Sequence, residues 1–381
     1  MKRKIAIIDP LGAHGSSHHF YLFGQARGLI NNGCVISLYT NNVTANPHLP
    51  GVSFFSFYNN IFKSKSKFIS GIKWVAGSVL SIFHARFLGA SIFHFHIFYT
   101  NVLVLFSLLI VKLLFGKVVL TIHDVSSFAN SSDSSLIRNI IYKLTDLILT
   151  HNEFSKLEIA KISPNLSSCI YIVPHGNYIP FIHVQDDKQM SRNYLKIPND
   201  KMVLLFFGMI KKVKGLDVLL LALKDVIKEH PDILLLIAGK PWQNDFSNYQ
   251  RIIDENNLSE NIILHTKFIA HEDVEYYYSA ADLVVLPYKK IYQSGVLMMT
   301  LSYERPALVS DLPALKEVIT DNENGFLFHS EDVDDLASRL NQILSDKDNF
   351  EKVRINGSTL INTRFGWDEI GRLTKEAYQT L

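Results

Sequence analysis

Residues 203–217, VLLFFGMIKKVKGLD, read as an apolar strand ending at Gly208, a turn carrying Lys211, Lys212 and Lys214, and Gly215 at the head of a helix. Backbone N–H groups at a helix N-terminus and mobile ammonium groups both favour an anion, so this turn suits a diphosphate. The same strand–turn–helix grammar runs through the chain. Strands are expected at 5–8, 35–39, 52–55, 92–97, 118–122, 147–150 and 170–173, and again at 203–207, 233–238, 262–264, 283–287 and 307–310. Helical periodicity fills gaps between them, as at 20–30, 216–228 and 333–344. Such alternation predicts an α/β fold with parallel sheets.

At 381 residues the chain exceeds the size at which one core usually keeps growing, so two domains are expected. Residues 181–200 become polar and lose periodicity, which reads as a linker. The expected organisation is therefore a first Rossmann-like domain over 1–180, a linker over 181–200, and a second Rossmann-like domain over 201–366. A final helix over 367–381 is long enough to pack back on the first domain. Parallel sheets of this kind bind ligands at the carboxyl ends of their strands, here across a cleft.

A net charge of +2 argues against a nucleic-acid binder that relies on a broad basic face. Hydrophobic content of 48% and charged content of 19% exclude a disordered chain. The two cysteines, Cys34 and Cys169, lie in apolar runs and are too few for a disulfide framework, which fits a reducing cytosol. The apolar run after the basic start is too short for a signal sequence. Residues 102–115 are apolar but interrupted by Lys112 and shorter than the roughly 20 residues a spanning helix needs, so a buried helix is expected, with a partly interfacial one as the alternative. Lys63, Lys65, Lys67 and Lys73 alternate with Phe62, Phe68, Ile69, Ile72 and Trp74, a mixture suited to an anionic membrane surface or to a plain surface loop.

Several strand ends carry chemistry. The first loop, containing Gly12, His14, Gly15, His18 and His19, allows close backbone approach by a sugar or phosphate, or is a plain turn. It lacks the dinucleotide fingerprint, and Thr40-Asn41 stand where an acidic residue would end the second strand. His123 and Asp124 end another strand and can orient a hydroxyl or accept a proton, or simply cap a turn. His94 and His96 share one face of their strand, with His96 nearer the ligand edge, and no carboxylate is spaced with them as in a metal motif. The loop 174–178, PHGNY, stands just before the linker. In the second half Lys211 and Lys214 are the strongest anion candidates, with Ser294, Gly295 and Val296 at the head of a helix. Glu304, Asp311 and Glu317 are carboxylates that could grip ribose or sugar hydroxyls.

Taken together, these residues resemble the two-domain nucleotide-sugar glycosyltransferases of family 4 with the GT-B fold. The landmarks are Phe207-Gly208 with Lys214-Gly215-Leu216-Asp217, the run 280–288 (AADLVVLPY), Ser294-Gly295-Val296 through Arg305-Pro306, and Leu312-Pro313 to Asn324-Gly325-Phe326. The resemblance implies sugar transfer from a UDP or GDP donor. Lys211, Lys214, Gly208, Ser294, Gly295 and Val296 would hold the diphosphate. His123 would meet the donor sugar above Gly12 and Gly15, and His14, His96, Glu304 and Glu317 would contact sugar or ribose. No cofactor and no divalent metal is implied, because lysines and helix N–H groups neutralise the leaving group.

The chain departs from the pattern in one place. Ile291 and Met299 stand where retaining members carry two glutamates, so it resembles subgroups marked instead by Ser294-Gly295. An inverting reaction, with His123 or Asp124 as base, becomes an option. The implied acceptor is a saccharide, lipid-linked on polyprenyl diphosphate, at the inner face of the cell membrane in surface polysaccharide assembly. A sugar-nucleotide epimerase and a non-catalytic sugar-nucleotide binder are the competing readings.

Overall fold

The computed structural model describes residues 3–14, 17–63, 66–125, 134–182 and 187–381. The chain divides into a first unit, Met1–Gly176 with Phe365–Leu381, and a second unit, Asn177–Arg364.

The first unit is built on a seven-stranded parallel sheet in the order β3-β2-β1-β4-β5-β6-β7. Its strands are β1 Lys4–Ile8, β2 Val35–Asn41, β3 Val52–Tyr58, β4 Ile92–Ile97, β5 Lys117–Ile122, β6 Leu147–Thr150 and β7 Ile170–Ile172. The intervening helices are α1 His18–Asn31, α2 Lys67–Phe87, α3 Val102–Leu113, α4 Ser135–Leu144 and α5 Glu153–Ile162. Strand order reverses between β1 and β4, which makes the loops after those two strands the expected ligand crevice.

β4, IFHFHI, is buried on both faces, with its phenylalanines and histidines on opposite sides by strand alternation. The histidine face lies under α1 and the C-terminal helix. Asn101 starts α3 and Asn152 starts α5, each side chain accepting a backbone N–H of the first turn.

The second unit holds a six-stranded parallel sheet in the order β10-β9-β8-β11-β12-β13. Its strands are β8 Met202–Phe207, β9 Ile233–Ala238, β10 Ile262–His265, β11 Leu283–Leu286, β12 Ala307–Ser310 and β13 Phe326–Phe328. The helices of this unit are α6 Lys188–Leu195, α7 Leu216–Glu229, α8 Ser247–Glu255, α9 Val274–Ala280, α10 Gly295–Ser302, α11 Pro313–Lys316, α12 Val333–Ser345 and α13 Lys347–Thr363. The apolar face of α7, including Leu219, Leu223 and Val226, packs with Leu235, Val285 and Leu340 in one buried cluster. Here the order reverses between β8 and β11.

Residues 181–200, expected as a linker, belong to the second unit. Asp187 caps α6, and the buried Arg192 donates to Ala280 O and Asn199 O and pairs with Asp282, which also accepts the Val203 N–H. An arginine with this many internal partners fastens the segment to the sheet, while Lys188, Asn193, Lys196 and Asp200 around it face solvent. The crossings between units fall at Gly176/Asn177 and Arg364/Phe365.

The last helix, α14 Trp367–Gln379, packs on α1 in the first unit. Close approach is set by three glycines: a Cβ on Gly28 would lie 2.0 Å from Trp367 O, one on Gly371 2.1 Å from Gly28 C, and one on Gly24 2.0 Å from Trp367 Cε2.

Candidate functional site

Each unit has its own constellation at its strand-order reversal. In the second unit the lysine turn follows β8. Gly208 has φ +106, and the neighbouring Gly239, at φ +146, lies so close that a Cβ would sit 1.9 Å from Gly208 O. Gly215, at φ +68, would bring a Cβ 1.7 Å from Pro287 O, so only glycine lets the turn lie against the end of β11. The Lys289 N–H donates to Val213 O, and the Lys289 ammonium pairs with Asp217 at 2.6 Å. These contacts bind the loop after β8 to the loop after β11.

The two lysines expected to meet an anion are half-buried, each with its ammonium over an aromatic ring. Lys211 Nζ lies 4.4 Å from the centroid of Trp242, and Lys214 Nζ lies 3.7 Å from that of Tyr288. An aromatic face steadies a cation without neutralising it. Ser294 is buried as the N-cap of α10, its Oγ accepting the Leu297 N–H at 3.1 Å, with Gly295 and Val296 half-buried in the first turn. The Val296 side chain stands beside Gly208, where a Cβ would meet Val296 Cγ2 at 3.4 Å. The structure thus brings together Gly208, Lys211, Lys214, Ser294, Gly295 and Val296. Met299 is buried and Ile291 half-buried in the same region.

Glu304 does not join this set. It lies between α10 and β12, at the amino edge of the sheet, and takes the left-handed conformation (φ +55) that closes α10. Its carboxylate accepts from Ser358 Oγ at 3.0 Å and pairs with Arg354 at 3.4 Å. Glu317 stands on the carboxyl side of β12, just after α11, and is half-buried. Asp311 accepts from His329 Nδ1 at 3.0 Å and from the Ser330 N–H at 2.9 Å, so it organises the β12 and β13 ends.

In the first unit Asp9 ends β1 as a buried carboxylate. It accepts the Gly12 N–H at 2.8 Å and faces His18 Nε2 at 2.7 Å. Gly12, at φ +47, is wedged against the end of β2, where a Cβ would lie 2.0 Å from Thr44 Oγ1. His14 is exposed and stacks on Phe62 with ring centroids 3.7 Å apart. Gly15 lies outside the described residues.

His96 and His123 are joined, His96 Nδ1 to His123 Nε2 at 3.1 Å, and the series continues on both sides. His96 Nε2 meets Gln25 Oε1 at 3.0 Å, His123 Nδ1 meets His151 Nε2 at 3.0 Å, and His151 Nδ1 donates to Val173 O at 3.0 Å. Tyr21 places its ring edge-on to His96, His123 and His151, and Phe98 stacks on His123 at 4.6 Å. Burial, reinforced by the neighbouring imidazoles, holds His96 and His123 well below the ordinary histidine range. Burial also lowers His151 to about 4 and His94 and His175 to about 3, so all five are neutral at pH 7. Asp124 follows His123 directly and is half-buried.

His151, Asp9, Gln25 and Tyr21 are members of this cluster that the sequence does not single out, and His18 enters it there only as part of the first loop. Strand register is the signal: β5 and β6 pair Thr121 with Leu149, which places His123 beside His151 one step beyond each strand. His18, His96 and His123 each offer a nitrogen within 4.8 Å of the others, a spacing a metal ion could bridge. Hydrogen bonds from these same rings to one another and to Asp9 account for it.

Beside Asp9 and His96 opens a cavity of about 670 Å³, walled by Ile61, Phe62, Trp74, Phe98, Leu103 and Val104. Its outer helices leave apolar side chains in solvent. On α2 these are Phe68, Ile69, Ile72, Leu80, Phe83 and Phe87, and on α3 and just beyond it Val102, Leu109, Leu113 and Phe115. α3, expected to be buried, has only Ser107, Leu108 and Val111 buried, because it covers the sheet with one narrow stripe. Among the described residues α2 is the one helix long and apolar enough to cross a membrane, although part of it packs on β3 and α3. Lys63 and Lys67 are exposed, Lys73 is half-buried, and Lys65 lies outside the described residues.

Comparison with known proteins places this fold among related chains. Residues 187–359 match the family described as Glycosyl transferases group 1. The chain is 23% identical over 276 residues to spore coat protein SA of Bacillus subtilis, covering 68% of this chain and 72% of that one. It is 21% identical over 201 residues to the capsular polysaccharide biosynthesis glycosyltransferase CapM of Staphylococcus aureus, about half of each chain (51% and 52%). Among solved structures, sucrose-phosphate synthase from Thermosynechococcus elongatus superposes with a TM-score of 0.77 at 17% identity, covering 100% of this chain and 99% of that one. Anabaena HepE in complex with UDP and glucose superposes with a TM-score of 0.78 at 16% identity, covering 100% of both chains. The fold of this chain is that of these GT-B proteins.

Proposed function

We infer from a chain whose residues 187–359 match the glycosyl transferases group 1 family that it is a nucleotide-sugar glycosyltransferase, moving a sugar from a nucleotide diphosphate donor to a saccharide acceptor. The observation that carries this reading is the turn Gly208 to Gly215. It carries Lys211 and Lys214 and sets Gly208 against Val296 of the first turn of α10, inside the matched region. Two ammonium groups and helix N–H groups hold a diphosphate and stabilise it as a leaving group without a metal ion. HepE, of the same fold, is seen with UDP and glucose, which supports a UDP-sugar over other donors for first trial. In this reading Glu317 reaches the ribose, and His123, Asp124 and the Gly12 loop serve the transferred sugar and the acceptor.

The acceptor in this proposal is lipid-linked. The cavity beside His96 has apolar walls and a polar floor, as a saccharide on a polyprenyl diphosphate requires, and the exposed apolar residues of α2 with Lys63, Lys67 and Lys73 suit the anionic inner face of a cell membrane. The likeness to CapM favours a place in surface polysaccharide synthesis. Loss of both glutamates at Ile291 and Met299 leaves inversion as readily available as retention, and the anomeric form of the product decides between them.

A thermal-shift scan of UDP-, GDP- and ADP-sugars tests the donor. A true donor at 100 times its Kd adds about 2.7 kcal/mol and raises Tm by several degrees. Absence of any shift with every nucleotide sugar would overturn the reading.

A further inference from the structure

The four hydrogen bonds that link Gln25, His96, His123, His151 and Val173 have a direction. A carbonyl oxygen only accepts, so His151 Nδ1 must carry a proton towards Val173 O. A neutral His151 then has a bare Nε2, and His123 must donate to it from Nδ1. This leaves His123 Nε2 bare, and His96 must donate to it from Nδ1. The His96 Nε2 that remains is an acceptor, yet it faces Gln25 Oε1, another acceptor, while Gln25 Nε2 is buried without a hydrogen-bond partner. A half-turn of the Gln25 amide resolves both faults together, bringing its NH2 to His96.

We propose that Gln25, His96, His123 and His151 form a one-way hydrogen-bond chain ending on the Val173 carbonyl, and that His151 is a positioning residue that locks His123 as the Nδ1–H tautomer with its Nε2 lone pair turned to the cluster. Phe98 stacks on the His123 ring and Tyr21 stands at right angles to it, which holds the ring in place, and Asp9 is engaged by His18 and the Gly12 N–H. A lone pair at His123 Nε2 can accept a hydroxyl proton if a substrate displaces the His96 N–H. His123 with Nε2–H could only donate. The part that His151 plays in transfer rests on the glycosyltransferase reading above, whereas the tautomers do not.

The test is long-range 1H–15N correlation on the full chain labelled with 15N-histidine at pH 7.5, with rings assigned through single variants. The expected result is Nδ1–H with a bare Nε2 at His96, His123 and His151. Finding His96 as Nε2–H while His123 is Nδ1–H would overturn the chain, because two bare nitrogens would then face each other and a cation would have to bridge them. Finding His123 as Nε2–H would overturn it as well.

His151→Gln keeps the polarity, since its oxygen accepts from His123 and its NH2 donates to Val173 O. His123 should stay Nδ1–H, with kcat within about threefold of the parent. His151→Leu should release His123 to Nε2–H and lower kcat at least tenfold with KM for the donor little changed. An unchanged His123 tautomer or an unchanged kcat in His151→Leu would refute the positioning role. The tautomers need no donor or acceptor to be read, so their failure is distinct from a failed donor scan.

Discussion

Lys214 Nζ lies 3.7 Å from the centroid of the buried Tyr288 ring, so a cation of the loop after β8 rests on an aromatic side chain of the loop after β11. The ring holds the long side chain over the strand-order reversal and leaves its charge available. Lys214→Ala is expected to weaken nucleotide-sugar binding about tenfold or more, the ~1.4 kcal/mol or more carried by a charge-assisted contact with phosphate. Titration calorimetry with the donor found by the thermal scan measures it. Unchanged affinity would remove the diphosphate from this turn.

The helix pair α1–α14 is held at a distance set by its glycines. Gly28→Ala would place a methyl group against the Trp367 carbonyl, a backbone atom that cannot turn aside, and should cost about 1–3 kcal/mol. Gly71→Ala lies in the interior of α2, where a new methyl group would meet nothing within 4 Å. It should instead leave stability equal or raise it by about 0.5–1 kcal/mol. Urea denaturation of the two variants beside the parent reads both signs.

The buried histidines make the fold sensitive to acid. In the folded state His151 titrates at about 4 and His94 and His175 at about 3, whereas unfolded histidine titrates at about 6.5. Between those values the unfolded chain binds more protons, so stability is complete above pH 6.5 and declines as pH falls towards 4. Each of these three histidines costs about 2 kcal/mol between pH 7.5 and 5, so a loss of about 6 kcal/mol is expected, seen as a lower urea midpoint. His151→Gln should flatten that slope, and an equal slope in the two proteins would contradict the assignment.

The apolar face of α2 is expected to bind anionic vesicles. Replacing Phe68, Ile72 and Phe83 by serine should abolish sedimentation with phosphatidylglycerol vesicles, since each removes exposed apolar surface that a bilayer would cover. Removing the charges of Lys63, Lys67 and Lys73 should weaken it by about 1 kcal/mol per lysine near the surface, an effect lost at high salt. Undiminished sedimentation of both variants would exclude this face.

Strand existence is legible because buried parallel strands are continuous apolar runs, and β4, β6, β9 and β12 fall on the residues that sequence predicts. β13 is not, because Phe326–Phe328 stands as three apolar residues between Gly325 and His329, whereas the equally short β7 lies in a longer apolar run that extends to Val173. The segment 181–200 misleads for another reason. Arg192 and Asp282 are 90 positions apart, and a polar residue satisfied by a distant partner looks the same in sequence as one satisfied by water. Glu304 misleads because it closes α10 in a left-handed turn and its carboxylate is taken by Ser358 and Arg354 of α13, partners some 50 positions away.

The sequence by itself determined the βα alternation, the division into two parallel-sheet units and the lysine turn between Gly208 and Gly215, because each is a local pattern of hydrophobicity, turn residues and charge. Only the tertiary structure decided which histidines act together. His96, His123 and His151 are separated by 27 and 28 positions, and parallel register alone stacks them on one sheet face beneath Gln25 and Tyr21. There, the loss of water keeps the rings neutral, and a single backbone carbonyl at Val173 sets the direction of their hydrogen bonds.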